Sequence, residues 1–461
     1  MMMLGGSGEQ WMMECNVVYA HWERIDTAVS GVDLFEALFG SHRASFWLDS
    51  AGGGDVQSAN WSYMGGGDGP HAVVLSYHRC DQAVVETWGA RQRRTGIANW
   101  FDYLGSLSTP RVDSPPPIPF SGGWVGWFGY ELGAECGYPV AHEGPLPDGY
   151  LMAPDRYIAI DHGGQQVYVV ALSPESGDRV AMGWVADTLR QIRGLGGGKG
   201  SPPRTYPLTS ALTVALGCGY EGYVERIQSC LDWIGKGDSY QLCLTNEWVC
   251  EVAVDGWVLY QWMRRQNPAP YSAYIQWEGG RILCSSPELL IQIDGDGTVT
   301  SKPIKGTTHR SLDQEEDARL KAVLRASEKN KAENVMIIDL IRNDLSRVCE
   351  VGSVRVPAPL AIETYATVHQ LVSTITGRLR GGIGAIEVVR AMFPGGSITG
   401  APKYRSIELL SAIEGRARGI YTGSIGWMGW NQMAQLNIVI RSVIQAGDRL
   451  VMGVGGGIVS G

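Results

Sequence analysis

The sequence predicts an α+β protein, and three observations carry that expectation. A chain of 461 residues with 44% hydrophobic content and a net charge of −9 is able to bury a large core. Short strand-like runs, YSAYIQW, RILCSS and LLIQIDG, are followed by segments of helical spacing around Glu333 to Val348 and Tyr404 to Glu414. These blocks do not alternate in the long strand–helix series that a doubly wound sheet demands, and no repeat of solenoid period occurs.

Taken in order, the Met-rich start lacks the basic region and apolar core of a signal peptide. No run approaches the roughly 20 apolar residues that span a bilayer, so a cytoplasmic protein is expected. Pro115 to Pro119 precede FSGGWVGWFGYELG, whose aromatic residues and glycines suit a packed strand with close backbone approaches. GLGGGKGSPPRTYP, residues 194–207, is too rich in glycine and proline for a core element and reads as a linker between regions 1–193 and 208–461. Nine scattered cysteines without a C-x-x-C pair predict reduced, core-filling thiols rather than disulfides or a zinc site. Sixteen tryptophans are read as core and interface residues. The mild acidity argues against broad nucleic-acid binding and leaves room for one locally positive pocket.

Four places invite chemistry. In the first, Ile337, Leu340, Ile341, Leu345 and Val348 form a helical stripe, and Glu333 lies one turn before Ile337 on the same face. A carboxylate there points inward and needs a cation, with a salt bridge favoured over a metal on spacing alone; Arg342, Asn343 and Asp344 are assigned to structure. In FPGGSITGAPK, glycines with Ser397, Thr399 and Pro402 stand ahead of a helix, where free amides attract anions and Lys403 adds positive charge; an ordinary capped helix explains the same pattern. The three glycines of VMGVGGGIVSG permit close approach of a ligand or form a bulge. Lys305 issues from a turn bounded by Pro303 and Gly306; an amine nucleophile must be unprotonated, which desolvation or a nearby cation favours, but a solvated lysine is the commoner case.

Taken together, GDSYQLCLTNEW, SSPELL, PIKGT, AENVMIIDLIRNDLSRV, ETYATVHQLVS, FPGGSITGAPK, RGIYTGSIGW, NIVIR and GVGGGIVSG resemble, in order, the chorismate-utilising enzyme family. The likeness covers residues 217–461, and FWLDSA with GGWVGWFGYELG extends it into the first half. It implies a single compact body of two large antiparallel β-sheets packed with helices, with both halves contributing. It also implies roles. Lysine in PIKGT resembles the members that make aminodeoxychorismate, so Lys305 is expected to attack the ring of chorismate and expel its hydroxyl before ammonia replaces it. Glu288 of SPE takes the acid–base role, and Glu333 becomes a ligand of Mg2+. Tyr421 and Arg441 hold a substrate carboxylate, Gly455, Gly456 and Gly457 supply backbone donors, and Gly306, Thr307 and Thr399 line the same cavity.

Two departures from the family pattern follow. Gln370 stands where the anthranilate-forming members carry histidine, with His369 one residue away, which agrees with a product that keeps its enolpyruvyl group. Relatives also continue past GGGIVSG into an acidic helix with a further metal-binding glutamate, so weakened magnesium dependence is expected of the sequence ending at Gly461. The resemblance further implies a separate glutamine amidotransferase subunit in a heterodimer, because no glutaminase nucleophile motif is present, and a tryptophan pocket at Ser50 and Pro270. The rival expectations are an anthranilate synthase component I and a catalytically inactive scaffold for a glutaminase.

Overall fold

The computed structural model describes residues 15–50, 60–195 and 213–460. Two large sheets form its body. The first has thirteen strands and runs, in spatial order, Val214–Leu216, Gln241–Glu251, Arg449–Ile458, Ser442–Ala446, Gly280–Ser286, Tyr271–Trp277, Ser45–Asp49, Trp61–Gly66, Arg156–Asp161, Gln166–Ser173, Val17–Asp26 and Arg111–Asp113. Gly400–Ala401 adds to Gln241–Leu242. The second, of twelve strands, runs from Ile304–His309 and Val368–Arg378 through Thr298–Lys302, Leu289–Ile293, Ala434–Asn437 and Ser424–Gly429 to Gly123–Phe128, and on to Arg91–Gly96. Pairing is antiparallel throughout except between Val17–Tyr19 and Arg111–Asp113. The expected α+β class and the pair of antiparallel sheets are what the structure shows.

Both sheets are continuous across the two sequence halves. Tyr271–Trp277 pairs with Ser45–Asp49 in one, and Ser424–Gly429 with Gly123–Phe128 in the other. Strands from the first half therefore complete sheets begun by the second. The helix Arg179–Leu195 includes Gly194 and Leu195, and residues 196–207 of the expected linker lie outside the described residues.

Burial explains why the strands read as nearly unbroken apolar runs. Along Gln166–Ser173, Tyr168, Val170 and Leu172 face the core between the sheets, while Val167, Val169 and Ala171 face helices on the outer side, as the two-residue strand period requires. The outer cluster includes Phe35, Trp47, Tyr260 and Tyr274, beneath the helices Gly31–Leu38 and Gly256–Gln266. Each such side chain, fully buried, contributes about 1.5–3 kcal/mol. The GGWVGWF run is the buried strand that its composition predicts. A Cβ on Gly126 would stand 1.9 Å from the Tyr150 carbonyl oxygen, so only glycine allows that approach.

The long helix Glu328–Ser346 starts five residues ahead of Glu333, because Ser327 caps it by accepting from the Asn330 amide at 3.3 Å. Ile337, Ile341 and Leu345 are buried as the stripe predicts, and Lys403–Glu414 forms the second expected helix. Trp47, Trp100 and Trp127 are fully buried, whereas Trp248 and Trp262 are exposed. Cys15, Cys230, Cys284 and Cys349 are buried but Cys80 is exposed, so core filling accounts for only part of the set. Among the described residues no helix is long and apolar enough to cross a membrane.

Candidate active site

Lys305, on a strand, and Glu288, between two others, meet at the same loop. Strand Ile304–His309 carries Lys305, whose Nζ donates to the Ser397 carbonyl at 3.0 Å. That carbonyl belongs to the turn Gly396–Ile398 of the FPGGSITGAPK motif. Gly306 follows Lys305 with φ of +108°, a conformation that side chains rarely adopt. A Cβ there would press on Asn330 at 3.0 Å. The turn that aims the lysine is therefore closed over by the first turn of the long helix.

Glu288 is 4% exposed and sits just beyond the strand Gly280–Ser286. Its amide donates to Ser286 Oγ at 3.2 Å, and its carbonyl accepts from the Ile438 amide at 3.0 Å, so its backbone is fixed from both sides. Burial pushes its carboxyl above the usual range, opposed in turn by the Ser397 hydroxyl, the Lys305 ammonium, the Ile304 amide and the Arg441 guanidinium. No well-formed hydrogen bond accompanies that proximity. Glu288 Oε1 and Ser397 Oγ are both buried without a partner among the described residues.

Arg441 faces the same place. Burial lowers its pKa and the Glu288 carboxylate raises it, yet no carboxylate lies within ion-pair distance of it among the described residues. Its φ of +52° puts a non-glycine residue in the left-handed region, a strain that persists where surrounding structure enforces it. Two basic side chains, Lys305 and Arg441, thus act on one acidic side chain, Glu288, so basic groups outnumber acidic ones there. Such a pocket favours an anion.

The remaining expected residues divide. Tyr421 is buried, its ring seated on Gly453, and burial pushes its phenol up. Gly455, Gly456 and Gly457 lie in the strand Arg449–Ile458, paired without a register shift to Thr245, Leu244 and Cys243. They form regular strand rather than a bulge. On the other side the neighbouring strand Ser442–Ala446 pairs only as far as Met452, which leaves that edge of the glycines without a strand partner. Thr307 lies near Gln370, whose Nε2 donates to Thr307 Oγ1 at 3.5 Å. Thr399 is buried, but its hydroxyl donates to the Gly395 and Gly396 carbonyls at 3.1 and 3.3 Å and so serves the loop itself.

Lys403 is a correction. Rather than adding free charge at the helix start, it is buried, bonded to Asp344 and to the Met392 and Pro394 carbonyls at 3.2 and 2.9 Å. Asp344 is structural, as expected. His369 and Gln370 point to opposite faces of one strand, as adjacent strand residues must. His369 bonds Asp317 at 2.9 Å and Thr364 at 3.1 Å, while Gln370 keeps a buried, unpartnered Oε1.

Glu333 lies one helical turn past Asn330, which touches Gly306, and two turns before Leu340, which touches Gly396. It therefore lies on the helix face that borders the lysine turn. Its side chain is 16% exposed and its nearest cation is Lys329 at 3.9 Å, a loose ion pair. No cluster of three His, Cys, Asp or Glu side chains able to hold a metal occurs among the described residues. Mg2+ takes one or two protein carboxylates and completes its shell with water and substrate oxygens. Glu333 fits one such position and is not a site by itself.

Ser50 lines a cavity of about 20 Å3 between the sheets with Asp49, Trp61, Tyr63 and Tyr271. Pro270 is buried beside it and is not among the lining residues. That volume holds about one water molecule. The expected tryptophan pocket at Ser50 and Pro270 adjoins residues 51–59, which lie outside the described residues.

Sequence reasoning missed Gln241, which is fully buried with both side-chain polar atoms unpartnered and its amide against Gly457. A glutamine in an apolar strand run was the available signal. It also missed Glu414, the last residue of its helix, and Arg418, four residues on in an unremarkable charged stretch.

Known proteins resemble this chain over most of its length. Residues 56–461 match the chorismate binding enzyme family. An aminodeoxychorismate synthase of Streptomyces griseus is 38% identical over 92% of this chain; the chain spans 59% of that protein's length. The aminodeoxychorismate synthase component 1 of Bacillus subtilis is 31% identical over 93% of this chain and 90% of its own. Among solved structures, anthranilate synthase component I from Streptococcus pneumoniae superposes with a TM-score of 0.73 at 25% identity, covering 87% of this chain and 88% of that one. With the match running through every element that frames Lys305, Glu288 and Arg441, the chain belongs to the family of chorismate binding enzymes.

Proposed function

We propose that the chain converts chorismate and ammonia to 4-amino-4-deoxychorismate through a covalent intermediate on Lys305. The observation that supports this most directly is the lysine amine held at the Ser397 carbonyl beside an incompletely partnered carboxylate, Glu288. Lys305 passes a proton to Glu288, its neutral Nζ then forms a bond to the ring carbon as the carbon–hydroxyl bond breaks, and Glu288 gives the departing hydroxyl that proton so that it leaves as water. Ammonia then bonds to the carbon that lost the hydroxyl, the lysine–carbon bond breaks, and Glu288 takes back the proton that ammonia sheds. The sum is chorismate plus ammonia giving the amino product and water, with the enolpyruvyl group intact.

Arg441 suits the enolpyruvyl carboxylate, since a guanidinium fork matches a carboxylate with two parallel hydrogen bonds, and the open glycine edge offers backbone donors beside it. Tyr421, whose ring lies on Gly453 of the glycine-bearing strand, is the proposed second partner of that carboxylate. Mg2+, held in part by Glu333, would neutralise a ring carboxylate when bound. The name component 1 of the Bacillus relative supports a second component, for which a glutamine amidotransferase that delivers ammonia is the proposal. A cytoplasmic setting, where thiols stay reduced, agrees with free thiols at Cys80, Cys230, Cys284 and Cys349.

The test incubates protein with chorismate, Mg2+ and ammonium and separates the products, with and without a lyase that releases para-aminobenzoate. Para-aminobenzoate that appears only after the lyase supports the reading. Anthranilate with pyruvate would overturn it in favour of an anthranilate synthase, and an absence of any conversion would favour a non-catalytic role.

A further inference from the structure

We infer that Arg418 is a positioning residue for Lys305: its guanidinium is a buried strut that ties the turn accepting the lysine to the strand facing it. The side chain is enclosed, at 1% exposure. Each of its five N–H groups has an acceptor. Nε donates to Glu414 Oε2 at 2.8 Å, and Nη2 to Glu414 Oε1 at 2.8 Å and to the Cys243 carbonyl at 2.9 Å. Nη1 donates to the Ile398 carbonyl at 2.8 Å and to Thr422 Oγ1 at 3.5 Å.

The acceptors show what is tied to what. Ile398 follows Ser397, whose carbonyl receives Lys305. Cys243 lies on the strand that pairs with the three glycines, and its amide donates to the Thr399 carbonyl at 2.8 Å. Thr422 follows Tyr421. Glu414 ends the helix Lys403–Glu414 and also accepts from the Thr245 amide and hydroxyl at 2.8 and 2.9 Å. One planar fork thus sets the spacing among the lysine's turn, the glycine-facing strand and the tyrosine turn. A lysine ammonium, a point donor, cannot span two carbonyls and a bidentate carboxylate at once.

The first half of the chain fixes the strut from outside. The Tyr130 ring lies 4.4 Å from the guanidinium. Glu131 accepts from the Arg418 and Gly419 amides at 2.7 and 2.9 Å. Because Glu414 neutralises Arg418, the strut adds no net charge beside Lys305 and Glu288. Its influence is geometric.

This inference rests on the proposed role of Lys305, and the experiment separates the two. The parent chain, Arg418→Lys and Glu414→Asp are compared in three ways: thermal melting, kcat and KM with chorismate and ammonium, and the pH at which Lys305 becomes half-reactive toward cyanate, read by peptide mass spectrometry. The expected result is a cooperatively folded Arg418→Lys with kcat lowered about 100-fold, KM within threefold, and the Lys305 midpoint moved by one pH unit or more. Glu414→Asp, which keeps the charge but shortens the anchor, moves kcat and the midpoint the same way by a smaller factor and carries the test if Arg418→Lys does not fold. A folded variant whose Lys305 midpoint equals the parent's overturns the strut, even if kcat falls. A parent chain that makes no aminodeoxychorismate overturns the proposed function, while the difference in midpoint still decides the strut.

Discussion

Two carboxylate–guanidinium settings lie on either side of the turn Gly396–Ile398, and they are built in opposite ways. Around Arg418 every donor has an acceptor and Glu414 is met by Thr245 as well as by the guanidinium. Around Glu288 a carboxylate oxygen and a serine hydroxyl are buried without partners, and Arg441 has no ion-pair partner among the described residues. Unsatisfied buried polar groups cost about 1–3 kcal/mol each, so such a cluster persists where a ligand completes it. On the proposed function the saturated region carries stability and the unsatisfied one chemistry, and substitutions in the two should therefore have opposite signatures.

The largest expected effect is at Lys305. Lys305→Ala removes the proposed nucleophile and should lower turnover by about 10⁴-fold or more, worth over about 5 kcal/mol of barrier. Its melting temperature should stay within about 2 °C of the parent, because only one hydrogen bond to a backbone carbonyl is lost. Retained turnover would end the covalent reading. A collapse in melting temperature would show that the lysine belongs with the structural region.

Glu414→Ala tests the other side. Removing one partner of a buried pair leaves Arg418 charged and uncompensated, and it should cost about 3–5 kcal/mol in urea unfolding. A loss below about 1 kcal/mol would mean that water or a rearranged partner reaches the guanidinium, and the contrast between the regions would fail.

A pH series sharpens the comparison through Glu131, which bridges the halves. Burial, reinforced by Asp148, raises its carboxyl to about 7 against the restraint of the Arg418 and Gly419 amides. Its folded-state pKa exceeds its unfolded value. The stabilisation it gives is therefore complete below about pH 4.5 and is lost as pH rises through about 7, amounting to roughly 3 kcal/mol. Other buried carboxyls, Glu288, Asp148 and Asp155, shift the same way, and His42 and His162, lowered by burial, act in the opposite sense. The informative quantity is the difference between parent and Glu131→Gln across pH 5 to 8. A difference that does not vary with pH would refute the assignment to Glu131.

This contrast also marks how much of the molecule could be read from its sequence. The strands YSAYIQW and RILCSS, the apolar stripe of the long helix and the glycine-bearing strand were legible because period and burial leave a local trace. Lys305, Glu288 and Arg441 were legible because each sits in a short motif. The partners that make them a site were not, since Ser397 reaches Lys305 across 92 residues and does so through a backbone carbonyl, which has no residue identity. Lys403 was misread for the same reason: its partner Asp344 is 59 residues away and was assigned to structure without a named mate. Arg418 was invisible, because a charged residue after a helix end is ordinarily solvated and only the fold encloses it.

The smallest expected effect discriminates most finely. Ser397 contributes its carbonyl to Lys305 and its hydroxyl to the surroundings of Glu288, and Ser397→Ala removes only the second. If the hydroxyl is unpartnered, its loss should leave stability unchanged or raise it by up to about 1 kcal/mol, since a buried unsatisfied group is deleted. Turnover should nonetheless fall a few-fold. With that hydroxyl gone, one influence favouring ionised Glu288 disappears, so its pKa rises further and the ascending limb of the pH–rate profile moves to higher pH. Unfolding in urea and a pH–rate profile on the same preparation check both signs. A stability loss beyond about 1 kcal/mol with an unmoved profile would place Ser397 in the saturated region and shift the boundary between the two.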